Sequence, residues 1–266
     1  MLFAPYERYQ YARAPLVEVI CQLRFPTILS IGAKEPAEFQ EAIRKDFPQY
    51  AARQEQLPPK VVKKGNATAL EPQKPITNYN FISEDGRWKL NLTQGFIALS
   101  TLSYTRWEDF ATRLDRPLAQ FIQLYQPAFF ERIGLRYVNA FRRAPLGLED
   151  RLWKELITPG FLGLMGDEDA QEQAFMKNEL TATVQMPGGA KANVKSGPGL
   201  LRKVNNRTRE TTEERVFMLD LDLYMDSKIE LNHTAPALNI VHDNAGSLFR
   251  AAITDTLADA MEPQKA

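Results

Sequence analysis

The chain of 266 residues balances 33 Lys plus Arg against 33 Asp plus Glu, and 44% of its side chains are hydrophobic. That apolar content supports a sizeable core and excludes global disorder, while zero formal net charge argues against broad non-specific adhesion to nucleic acid or membrane and leaves room for a local patch. A single cysteine, Cys21, excludes an internal disulfide. No apolar run approaches the ~18 residues of a membrane helix. The opening has no basic start followed by a long apolar run, so the expectation is a soluble, cytoplasmic protein.

Leu16–Phe25 alternates as a strand, with Val17, Val19, Cys21, Leu23 and Phe25 on one side and Glu18, Ile20, Gln22 and Arg24 on the other, until Pro26 ends it. Glu35–Phe47 reads as a short helix on the spacing of Phe39, Ile43 and Phe47, with Pro36 suited to its first turn. Tyr50–Thr77 is polar and proline-rich and reads as a long surface excursion. Three strands follow, Tyr79–Ser83, Trp88–Thr93 and Phe96–Leu102, joined through Asp85-Gly86 and Gln94-Gly95. Arg106–Tyr125 is the first long helix, on the stripe Trp107, Phe110, Leu114, Leu118 and Phe121, with Pro117 expected to kink or split it.

Glu131–Arg143 is a strand with two unlike faces. Ile133, Leu135, Tyr137, Asn139 and Phe141 point one way; Arg132, Gly134, Arg136, Val138, Ala140 and Arg142 point the other. A short helix is expected at about Leu148–Ile157 and a loop at Gly160–Gln173. Strands Glu179–Met186 and Lys191–Lys195 flank Pro187-Gly188-Gly189, and Gly197-Pro198-Gly199 is expected to break the chain. Leu201–Arg215 reads as a polar hairpin tip. Val216–Met225 alternates cleanly, with Asp220 and Asp222 on its polar side, and Leu238–Met261 is the second long helix.

The element order repeats: strand, short helix, three strands, long helix. The expected fold class is therefore α+β, a single domain over 1–266 built from two similar β-α-β-β-β-α units, about 12–127 and 128–262. Their curved antiparallel sheets would pack on two long helices.

Several constellations could carry chemistry. Glu18, Arg24, Arg132 and Arg136 fall on the less apolar sides of the strands that open the two halves. If those strands are neighbours, the four form either a structural ion-pair network or a concave face that captures a phosphate or carboxylate through guanidinium forks. Asp220 and Asp222 project side by side and could hold Mg²⁺ with substrate phosphates; the plainer reading is the solvent face of an amphipathic strand. Arg202, Lys203, Arg207 and Arg209 form the best nucleic-acid candidate, a short basic loop without interleaved aromatics, for which a solvated tip is the plainer reading. Lys60–Lys64 is a smaller basic patch. His233 and His242 have no zinc-site spacing, Cys21 has no nucleophile signature, and no phosphate loop is present. Trp88, Trp107 and Trp153 read as core anchors, and no catalytic residue is assigned.

Pro15-Leu16-Val17-Glu18, Tyr104 with Trp107 and Phe110, the run Arg132-Ile133-Gly134-Leu135-Arg136-Tyr137-Val138-Asn139, and His242, Phe249, Ile253 and Thr254 are spread along most of the chain. On these motifs the chain resembles a sporadically distributed bacterial family of uncharacterised proteins of similar length. The resemblance implies no biochemical activity. Patchy distribution is common among genes on mobile elements, including defence and toxin–antitoxin loci. The leading expectation is a non-enzymatic binding or regulatory protein that needs no cofactor, whose partner is another protein encoded nearby. The alternative is a sensor or enzyme for an anionic small molecule, a nucleotide or polyphosphate, held by the Arg/Glu face with Mg²⁺.

Overall fold

A computed structural model describes residues 7–64, 67–204 and 211–265. In chain order the elements are β1 (Tyr9–Tyr11), β2 (Leu16–Arg24), α1 (Leu29–Ala33), α2 (Ala37–Ile43), β3 (Gln49–Glu55), β4 (Lys60–Lys64), β5 (Ala67–Glu71), β6 (Ile76–Ile82), β7 (Trp88–Leu92), β8 (Phe96–Thr101) and α3 (Trp107–Tyr125). They continue with β9 (Arg132–Phe141), α4 (Arg143–Leu146), α5 (Trp153–Leu156), β10 (Leu180–Gln185), β11 (Lys191–Val204), β12 (Thr211–Met225), α6 (Thr234–Ala252), α7 (Asp255–Ala260) and β13 (Pro263–Lys265). The fold is mixed α and β with antiparallel sheets. Among the described residues no helix is long and apolar enough to cross a membrane.

The chain divides into two compact units. The first comprises the chain up to Ile20, Ile133–Asp226 and the chain from His233; the second comprises Cys21–Arg132 and Ser227–Asn232. Strand β2 contributes its opening residues to the first and its closing residues to the second.

In the first unit the strand order is β10-β11-β12-β9, followed by β2; just before β2 the Pro15 carbonyl accepts from the Ala140 amide at 2.8 Å. Alternation on β12 buries Phe217, Leu219, Leu221 and Leu223 while Met218, Asp220, Asp222 and Tyr224 stay half-buried. Helix α6 packs on that apolar side with Leu238, Val241, Ala245 and Leu248. Phe249 stacks on Phe141 at 5.9 Å, and Trp153 meets Phe217 at 5.5 Å.

In the second unit the order from β2 is β8-β7-β6-β3. Its core joins Leu90, Leu92, Ile97 and Leu99 to Phe25, Phe39, Phe81, Phe110 and Phe121, all fully buried or nearly so. The rings interlock, Phe25 with Phe121 at 4.7 Å and Trp88 with Phe110 at 5.6 Å. Helix α3 continues through Pro117 and is not split there. The proline removes one amide donor, and burial of the stripe from Trp107 to Phe121 outweighs that loss.

Other boundaries also differ from expectation. Tyr50–Thr77, expected as a surface excursion, carries strands: β3 pairs with β6, and β4 and β5 form a separate two-stranded ribbon. Strand β3 is exposed along nearly its whole length, so no alternation marks it in the sequence. Strand β11 passes straight through Gly197-Pro198-Gly199. The Met186 amide donates to the Ala190 carbonyl at 2.8 Å, so the even-numbered residues of β11 bond towards β10. Pro198 belongs to that set, but β10 ends opposite Ser196, so the missing N–H costs no ladder bond. Gly197, at φ 156°, sits where a Cβ would lie 2.2 Å from the Asn178 carbonyl oxygen.

The expected helix Leu238–Met261 is two helices. Ile253 is extended and bridges Ile157, and the Thr254 hydroxyl caps α7 by accepting from the Leu257 amide. The expected helix at Leu148–Ile157 is confined to α5, and the one at Glu35–Phe47 to α2.

Candidate binding face

The polar side of the first unit's sheet is built by register. In antiparallel pairing, directly opposed residues share a face. Thr183 on β10 stands opposite Asn193 on β11, Asn193 opposite Asp222 on β12, and Asp222 opposite Arg136 on β9. One row across four strands therefore reads Thr, Asn, Asp, Arg. The adjacent row reads Thr181, Lys195, Asp220, Val138.

The side chains knit these rows together. The Thr183 hydroxyl donates to Asn193 Oδ1 at 2.9 Å, and Asn193 Nδ2 donates to Asp222 Oδ2 at 3.3 Å. Arg136 leaves its own row and reaches diagonally to Asp220, with Nε donating to Oδ1 at 2.7 Å and Nη2 to Oδ2 at 2.5 Å. This fork is bidentate, which fixes the guanidinium plane. The hydrogen bonds to Asp220 raise the Arg136 pKa above its ordinary value; burial opposes the rise, and the charges of Asp220, Asp222 and Glu18 add to it. The Arg136 side chain is 45% exposed and that of Asp220 18%, so the pair sits at a wet surface.

The structure thus brings Glu18, Arg136, Asp220 and Asp222 to one electrostatic cluster in the first unit. Arg24 and Arg132 are residues of the second unit. Arg24 is exposed, and Arg132 acts electrostatically on the buried Cys21 thiol, whose pKa burial pushes up to about 12 against the opposing pull of that charge. Both oxygens of Asp220 are engaged by Arg136, and among the described residues no group of three or more His, Cys, Asp and Glu side chains is arranged to hold a metal.

The basic loop lies partly outside the described residues, which excludes Arg207 and Arg209. Arg202 pairs with Glu213 at 2.6 Å in its own register row, and the Lys203 backbone stands opposite Thr212. His242 Nδ1 lies 2.8 Å from the Tyr137 hydroxyl on the helix-packed side of the sheet. His233 is the residue before α6 and caps it with no side-chain bond. Cys21 is fully buried, as its apolar neighbours suggest.

Two polar arrangements escape the sequence reading. In the second unit Asn91 Nδ2 donates to Asn78 Oδ1 at 2.9 Å and to Asn80 Oδ1 at 2.7 Å, while Asn78 donates to Glu55 at 2.5 Å. Asn78 and Asn91 are buried. The alternation Asn78-Tyr79-Asn80-Phe81 was a visible signal, but its partner Asn91 is set only by pairing. In the first unit Arg143 forks onto Glu172 and lies 4.5 Å from the Trp153 ring centroid, which ties the segment after β9 to that before β10.

No family model matches the chain, and comparison with curated proteins finds no significant match.

Proposed function

We propose that this is a non-enzymatic binding protein whose first unit presents the polar side of its sheet to a protein partner. The observation that carries the reading is the Thr183–Asn193–Asp222 chain beside the Arg136–Asp220 fork. These side chains are held by cross-strand bonds on a wet face, while the opposite side of the same sheet is covered by α6. Ordered polar groups on rigid strands lose little entropy on binding and discriminate sharply by charge and hydrogen-bond pattern. The resemblance noted above adds a place in a mobile-element defence or toxin-neutralising locus, with a partner encoded nearby.

The competing reading, an anionic ligand on the same face, is less favoured, because the Arg136 fork is already filled by Asp220. Thermal-shift measurement with nucleotides, polyphosphate and Mg²⁺ separates the two: a ligand at a hundred times its dissociation constant stabilises by about 2.7 kcal/mol. We further read the halves as one repeated plan. Strand β2 is followed in order by β8, the last strand before α3, and β9 by β12, the last strand before α6; from each the sheet steps back through preceding strands. Affinity capture with the products of neighbouring genes tests the function. A partner retained by the wild type and lost at least tenfold on Asp222→Lys is expected, and repeated recovery of no partner overturns the reading.

A further inference from the structure

The row of polar residues begins at β10, which ends the strand order. A terminal strand exposes unpaired amides and carbonyls, and proteins normally blunt such an edge with charge, proline or a bulge. The two terminal strands here differ. β3 carries Arg53 and Glu55, and its Gln49 side chain reaches over to the Ser83 and Glu84 carbonyls. β10 reads Leu180-Thr181-Ala182-Thr183-Val184-Gln185, without a charge or a proline, in unbroken one-to-one register with β11.

The direction of its free groups follows from one bond. The Met186 amide donates to Ala190, so the even-numbered residues of this strand bond inward to β11. The N–H and C=O groups of Thr181, Thr183 and Gln185 therefore point outward, and all three residues are exposed.

We propose that β10 pairs antiparallel with β10 of a second copy of this chain, across a two-fold axis at Thr183. In this register Thr183 faces Thr183 of the second copy, Thr181 faces Gln185, and Ala182 faces Val184. Every outward group then falls in a hydrogen-bonded pair, giving about six ladder bonds. The half-buried side chains Leu180, Ala182 and Val184 stay on one side and the exposed ones on the other, so neither face is inverted. No like charges meet, and Thr–Thr opposition is a favourable cross-strand pair. A strand that is complementary to itself in side chains, faces and ladder parity makes the isologous contact that two-fold dimers require.

Light-scattering mass measured from about 1 µM to about 1 mM tests the proposal on the full chain. The expected result is a rise from 30.3 kDa towards twice that value. Thr181→Pro deletes an outward N–H that the monomer does not use, and Thr183→Lys places two ammonium groups face to face on the axis. Each should shift the association midpoint at least tenfold upward, and mixing Thr183→Lys with Thr183→Glu should restore a mixed dimer. Circular dichroism checks folding, and Thr183→Lys with its mixing partner decides the matter if the proline variant unfolds. A wild type that stays monomeric throughout, or a dimer whose midpoint neither substitution moves, overturns the proposal.

Discussion

Each unit carries a set of polar side chains linked across strands, and the two sets obey opposite rules. In the second unit the set is made of amides, Asn78, Asn80 and Asn91, with Asn78 and Asn91 buried, and it meets a charge only at its exposed end, where Asn78 donates to Glu55. In the first it is charged and wet: Arg136, Asp220 and Asp222, joined by Asn193 and Thr183. Burial explains the choice. An amide can leave water if its donors and acceptors are matched, whereas an ion pair that leaves water pays a desolvation cost that its own attraction seldom covers. A buried amide ladder contributes to specifying the fold. A charged one at the surface contributes little stability and keeps its groups available to a partner.

The largest expected effect lies on the buried side of this comparison. Asn91→Ala leaves the Asn78 and Asn80 side-chain oxygens without their donor, and Asn78 has little access to water. A loss of about 3 kcal/mol is expected in urea unfolding. A loss below about 1 kcal/mol would mean that the amides find other partners and that the ladder is incidental.

Next, taken per pH unit, comes alkaline pH, again through burial in the second unit. Burial holds the Cys21 thiol at about 12 from an ordinary value of 9.0. The folded state keeps its proton where the unfolded chain has lost it, so this contribution is complete below pH 9 and declines as pH rises from 9 towards 12. The slope is about 1.4 kcal/mol per pH unit for one group. Tyr125, held by burial at about 12, adds a loss of the same sign. The urea midpoint should fall steadily above pH 9, and Cys21→Val should flatten the fall. An unchanged slope in that variant would show that the thiol ionises as freely folded as unfolded.

The comparison also marks what the sequence could disclose. The strands β2, β9 and β12 and the first long helix were legible because one face of each is apolar and the period is plain. Asp220 and Asp222 were legible as a pair because a spacing of two fixes a shared face. The four-strand row was not, because nothing local to Thr183, Asn193, Asp222 and Arg136 tells which residue stands opposite which. Strand β3 was missed because an edge strand exposed on both faces has no hydrophobic period, and β11 was cut short because the reading of Pro198 could not know where β10 ends. The second long helix was drawn too far because Thr254, a capping residue, sits inside an otherwise helical pattern.

The smallest expected effect is on the wet side and concerns the fork itself. Asp220→Asn keeps the shape and removes the charge that Arg136 meets at 2.5 Å. With Arg136 nearly half exposed, solvent screens the pair, and a loss of about 0.5 to 1 kcal/mol is expected at low salt. That loss should shrink as ionic strength rises, because the Debye length falls to about 3 Å at 1 M salt. The Asn91→Ala loss should show far less dependence, since the two bonds it removes join amide to amide. Urea unfolding of both variants at low and high salt therefore reads the contrast directly. An Asp220→Asn loss of 3 kcal/mol that persists in 1 M salt would place the fork among the groups that hold the fold, and would remove the reason to regard this face as one kept for a partner.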